Sequence, residues 1–236
     1  MSSVEPAPLI VGEPAGRRRP LSRLRLNPGY IAAGVLTVAA SAGFSAISLF
    51  RYNHFGANGF DLGIQDQTVW GYSRLQIIPN TVLGVPNLLG DHFNPILMVL
   101  APFYWAWDSP GVLLVAQAVL LALAGIPIYL WGVQRLGETA GLAFQASYLV
   151  FWGVLAGVVF DFHHVVFAVP AISTALYATV NRRNRLLWAM VAVAMLARRR
   201  GADRHRAWLL HPRRAATCPA RRGAHVPERG LVLAVA

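Results

Sequence analysis

Hydrophobic and polar positions alternate along this chain in long blocks rather than at short periods. Residues 31–50 (IAAGVLTVAASAGFSAISLF) form twenty uncharged positions in a row. That is enough for a helix to cross ~30 Å of hydrocarbon. A signal peptide has an apolar region of only ~7–15 residues. This run continues to Phe50 and therefore reads as an uncleaved anchor. Two more blocks, 111–133 and 139–160, are clear spans. The block 165–181 is shorter, and 186–197 begins a span but stops after twelve residues.

The ambiguous block is 93–107 (FNPILMVLAPFYWAW), which is short and holds Pro95 and Pro102. If it crosses, Arg17, Arg18, Arg19, Arg23 and Arg25 face the cytoplasm, five in all. Arg51, Arg74, Arg135, Arg182, Arg183 and Arg185, six, then face outward. If it is re-entrant or interfacial, Arg135, Arg182, Arg183 and Arg185 join the first five, giving nine against Arg51 and Arg74. Cytoplasmic loops carry the excess of basic residues, so the interfacial reading is adopted. Tyr104, Trp105 and Trp107 suit an interface as well. The expected molecule has a cytoplasmic N-terminus in the inner membrane and an external loop over 51–110. One consequence concerns chemistry: Asp61, Asp66, Asp91, His92, Asp161, His163 and His164 all fall on the external side.

Composition agrees with the blocks. The chain is 56% hydrophobic and 13% charged, against ~25% charged for an ordinary soluble domain. One cysteine excludes a disulfide framework. The net charge of +11 comes from arginine alone, concentrated at the two ends. Residues 1–29 read as a disordered Arg/Pro-rich cytoplasmic lead-in, and 30–197 as the transmembrane domain. Residues 198–236 change character in mid-span, with ten Arg among 39 residues. A basic arm could bind nucleic-acid phosphates. The favoured expectation is instead a frameshifted or truncated product with no nucleic-acid partner.

No GxGxxG followed by a helix, P-loop, HExxH or GxSxG is present. Chemistry, if any, rests on three polar stretches. In GFDLGIQDQTVWGY (59–72), a helix would align Asp61, Gln65 and Thr68 on one face. That helix would lie on the membrane with this polar stripe toward water. Asp61 is then a helix N-cap, a catalytic carboxylate or a metal ligand, while Gln65 and Asp66 are simply solvated. In GDHFNP (90–95), Asp91 and His92 can position a base, bind a divalent cation or cap a loop. In FDFHHVVF (160–167), Asp161, His163 and His164 interrupt a long apolar run. Ionisable groups at membrane depth are expensive and point to function, whereas just outside the bilayer they make an ordinary turn.

Several motifs carry a resemblance. They are Arg51–Phe55, Phe60–Trp70, Gly90–Tyr104, Leu113–Ala118 and Asp161–Pro170. In this order they resemble a domain-of-unknown-function family of bacterial multi-pass membrane proteins. That family looks like a branch of the GT-C membrane glycosyltransferases. The resemblance implies an all-α polytopic bundle, the N-terminal part of a GT-C-like fold, with interfacial helices in the first external loop. It implies a polyprenyl-phosphate sugar donor and membrane lipids as partners, with Asp61 as base or metal group. Asp91, His92, Asp161 and His163 become its supports, and a divalent cation (Mg or Mn) would sit at Asp61 and Asp91. Arg51 and Arg74 are the candidates to face the leaving phosphate, although Arg51 at an interface can also snorkel. The rival is a transporter or lipid-handling protein, for which broken helices are also typical. That class needs ionisable groups inside its spans, and these blocks hold almost none.

Overall fold

The structure, a computed structural model, describes residues 27–84 and 95–197. Helix α1 (Pro28–Asn53) begins with a proline in its first turn, where a missing N–H costs nothing. Phe55 closes it in the left-handed region (φ 57°), and Gly56 N donates to Arg51 O at 2.7 Å. Helix α2 (Gly59–Ser73) follows and ends in the same way. Leu75 has φ 57°, and Gln76 N donates to Gly71 O at 2.9 Å. A 3-10 segment (Pro95–Leu100) leads into the short α3 (Ala101–Ala106). Helices α4 (Gly111–Leu123) and α5 (Gly125–Leu136) make one apolar rod interrupted only at Ala124. Gly137 (φ 93°) turns the chain back in a single residue, a backbone conformation that favours glycine. Helix α6 (Glu138–Leu149) continues as α7 (Trp152–Val159) after a 44° bend. A second 3-10 turn (His164–Phe167), α8 (Ala168–Val180) and α9 (Asn184–Leu196) complete the described chain.

The described elements are all helical. Pro28–Asn53 and Gly111–Leu136 are each 26 residues long and apolar enough to cross a membrane, and the bent α6–α7 pair adds a third candidate. Twenty-six residues at ~1.5 Å per residue extend ~39 Å, more than the hydrocarbon core requires. Helices α8 and α9 have 13 residues each, fewer than the ~20 of a full span. Pro95–Ala106 is shorter still and packs on α2. The fold is an all-α membrane helix bundle.

Polar side chains and small residues hold the long helices together, as expected where lipid is as apolar as leucine. A Cβ built on Gly132 would lie 2.6 Å from Gly141 Cα, so α5 and α6 touch backbone to backbone. Gln145 Nε2 donates to Thr37 Oγ1 at 2.8 Å and to Ala33 O at 3.2 Å. Further along, Ser48 Oγ donates to Val158 O at 2.9 Å. These pairs run α1 parallel to α6–α7, with α4–α5 antiparallel to both. The bundle therefore has two distinct ends. One gathers the end of α1, α2, α3 and the 160–164 turn. The other gathers Asn27, which donates to Glu138, the α5–α6 turn and the α8–α9 turn. Between them lies a core in which Leu97, Leu113, Ala118, Ala122 and Phe162 have no exposed surface.

Candidate functional site at the α2 end of the bundle

The start of α2 organises this end. Asn58 is the N-cap, and its side chain accepts from Phe60 N at 3.4 Å. Asp61 is therefore not the cap but stands in the first helical turn. In a capping box the acidic residue at this third position would accept the cap residue's own N–H. Here that N–H is already taken: Asn58 N donates to Asp161 Oδ2 at 2.7 Å, from a turn 103 residues away. Asp61 is left half-buried, with no hydrogen bond or ion pair to any described residue.

Asp161 itself is 7% exposed. Its turn is held by Gln117, the amide in the middle of α4. Gln117 Nε2 donates to Gly157 O at 2.8 Å and to Phe160 O at 3.0 Å, and its Oε1 accepts from His163 N at 3.0 Å. The carbonyls freed where α7 ends, and the next amide, are thus satisfied by one side chain. The His163 and His164 rings stack at 5.5 Å. His164 is buried, with Nδ1 3.3 Å from Gln65 Nε2. His163 Nδ1 is buried and makes no hydrogen bond.

These contacts correct the expected orientation of α2. Gln65 and Thr68 are buried, not solvated. Thr68 Oγ1 donates to Ile64 O at 2.8 Å, and Asn80 Nδ2 donates to the same carbonyl at 2.9 Å. Phe60 and Trp70 point outward instead. The polar stripe faces inward because it has partners there, above all His164 and Asn80. Asp66 is not free either: it accepts from Tyr104 Oη at 2.7 Å, which fastens α3 to α2. Burial pushes the Asp66 carboxyl above its ordinary range; the Tyr104 hydrogen bond opposes this and the Asp108 charge adds to it. The Tyr104 hydroxyl is also pushed up, first by burial and then by Asp66. Trp105 Nε1 adds a bond to Ser73 O at 2.7 Å.

The arginines expected to face a phosphate are engaged elsewhere. Arg51 Nη2 donates to Gly56 O at 2.6 Å and braces the end of α1. Arg74 pairs with Asp108 at 3.0 Å and lies over the Trp70 ring. Both partners of that pair are about half exposed, where such a contact contributes ~0–1 kcal/mol. Asp91 and His92 lie outside the described residues. Among the described residues no three His, Cys, Asp or Glu side chains come together as a metal cage.

A cavity of about 400 Å³ opens beside this turn. Asp161, His163 and Gln117 form its polar edge, and Gly153, Ala156 and Gly157 its small-residue wall. Asp61 is not in its lining. The structure thus joins Asp161 and His163 to the start of α2 and leaves Asp61 on the neighbouring surface. Gln117 and Tyr104 are site residues to which the sequence assigned no chemical role, and Gln65 is one that it read as solvated. The available signal for Gln117 was a lone amide inside an otherwise apolar block.

Helices long enough to cross a bilayer, packed through glycine and amide contacts, define an integral membrane protein. Residues 51–202 match the family described as "Predicted membrane protein (DUF2079)", and the chain belongs to that family. The matched region contains α2, Gln117 and the Asp161–His164 turn. No curated relative and no solved structure matches the chain.

Proposed function

We propose that the protein is a GT-C-like glycosyltransferase that takes sugar from a polyprenyl-phosphate donor at the α2 end of the bundle. The observation that carries this reading is the Asp61 carboxylate, which pairs with no described residue and stands one helical turn from the Asn58–Asp161 contact, beside a turn that presents Asp161 and His163 to a cavity. A carboxylate with no competing partner can take the proton of an acceptor hydroxyl. The acceptor oxygen then bonds to the anomeric carbon, the bond from that carbon to the phosphate oxygen breaks, and polyprenyl phosphate leaves. His163 lines the cavity and can donate a hydrogen bond to the departing phosphate, and the glycine-and-alanine wall accommodates an apolar chain. Asp91, the expected second ligand of a divalent cation, lies outside the described residues, and no step is routed through one. The buried polar residues Thr37 and Gln145 between the long helices are uncharged, which suits an enzyme better than an ion-coupled transporter.

In this reading the α2 end is external to the inner membrane and the N-terminus is cytoplasmic. The charge pattern supports it. Arg17, Arg18, Arg19, Arg23 and Arg25 precede α1, and Arg135, Arg182, Arg183 and Arg185 follow the turns at the same end. Among the described residues only Arg51 and Arg74 lie at the other end. The test is transfer from radiolabelled polyprenyl-phosphate sugars in membranes carrying the full protein. Asp61→Asn keeps shape and loses charge, and should lower the rate roughly 10²–10⁴-fold. Full transfer by that variant would remove Asp61 from the role of base. Failure of the unmodified protein to transfer from any such donor would overturn the class.

A further inference from the structure

The opposite end of the bundle carries a second feature that the transferase reading does not use. A groove of about 460 Å³ runs between α5 and α8. Its walls are apolar: Pro127, Trp131, Ile172, Leu176 and Val180, with Tyr177 near its base. Along α8 it extends from Val169 to Val180, eleven steps of ~1.5 Å or ~16 Å. That is about half of a ~30 Å hydrocarbon core, the depth of one leaflet.

Beyond the base of the groove stand arginines, on the end of α5 and in the turn after α8. Gln134 Nε2 donates to Tyr177 Oη at 2.7 Å, which ties the last turn of α5 to the last turn of α8. Arg135 follows on α5, and Arg182 and Arg183 form the turn after α8. The Arg183 guanidinium lies 5.8 Å from the centre of the Tyr177 ring. All three arginines are exposed, and none pairs with a carboxylate among the described residues. Glu138, the one acidic residue at this end among the described residues, is bonded to Asn27. An apolar slot about one leaflet deep, with three guanidiniums beyond its base that no described carboxylate pairs, matches one kind of molecule. We propose that this groove binds an anionic phospholipid, with an acyl chain along α8 and the phosphate at Arg135, Arg182 and Arg183. Basic pockets between membrane helices recognise lipid headgroups in this way, and planar guanidiniums suit phosphate oxygens.

The experiment uses the full chain in mild detergent and native mass spectrometry with phosphatidylglycerol and phosphatidylcholine of matched chains. The unmodified protein should retain phosphatidylglycerol in marked preference. Replacing Arg135, Arg182 and Arg183 together by Gln should weaken phosphatidylglycerol binding by about fivefold per arginine, on the order of 100-fold in all. Phosphatidylcholine binding should not change. Leu176→Trp, which fills the groove and leaves the charges, should also release phosphatidylglycerol. A second measurement needs no charge variant. Phosphatidylglycerol brominated on its acyl chain should quench Trp131 more than brominated phosphatidylcholine does, read as the difference from Trp131→Phe. Equal retention of the two lipids, equal quenching, or unchanged binding in Leu176→Trp would each overturn the proposal. None of these outcomes depends on transferase activity.

Discussion

The two ends of this bundle are built on opposite principles. At the α2 end, polar groups are buried and spent on one another: Gln117 on the 157–163 turn, Asp161 on Asn58 N, Asp66 on Tyr104. At the other end, Arg135, Arg182 and Arg183 stand exposed with no acidic partner among the described residues. Most buried polar groups at this end are satisfied inside the protein, since leaving one unpaired costs ~1–3 kcal/mol; Gln65 Oε1 and His163 Nδ1 are exceptions. An exposed cation is satisfied by water or by lipid phosphate. The first end therefore has a shape held by internal contacts, in which Asp61, paired with no described residue, is conspicuous. The second presents charge that no described residue compensates.

Substitutions should separate these two regimes. The largest effect is expected for Gln117→Leu, which leaves two carbonyls and one amide of the Asp161–His163 turn without a partner. The loss should be about 3 kcal/mol or more, read as the shift in unfolding midpoint in detergent. Loss below ~1 kcal/mol would mean that the turn is held by something else. Next comes the Asp66–Tyr104 contact. Burial raises the folded-state pKa of Asp66 above the ordinary aspartate value of 3.8. Between those two values the folded chain holds a proton that the unfolded chain has lost, so stability falls as pH rises through that window. Asp66→Asn should lack this decline, and parallel stability curves for the two proteins above pH ~3.8 would contradict the assignment. The smallest effect is expected at the opposite end. Arg135→Gln, tested in neutral detergent, should change stability by no more than about 0.5 kcal/mol. A larger loss would show that this arginine has a partner within the protein.

The all-helical membrane character was legible because it depends on blocks of apolar residues, which are local. The facing of α2 was not. Gln65 and Thr68 look water-facing when only neighbours in sequence are considered. They are buried because His164, 99 residues further on, and Asn80 meet them. Asp61 looked like a cap for a similar reason. The competing Asn58 is equally suited to the position, and the Asp161 contact that frees Asp61 is long-range. Arg51 and Arg74 were legible as cations, yet their partners, Gly56 O and Asp108, depend on how the chain turns after each helix. Residue type and spacing therefore revealed which groups could do chemistry. Which of them remain available was decided by contacts that local pattern does not encode.

The one-residue turn at Gly137 has a consequence for how the molecule is born. Two candidate spans meet there with no loop between them, and the Gly132–Gly141 contact presses them together. Neither can invert without the other, so Gly111 and Val159 emerge on the same side of the bilayer whichever way the pair inserts. Arginine distribution can choose up or down for this unit as a whole. It cannot produce a chain of mixed orientation in which Asp161 and the α3–α4 connection are parted by the membrane.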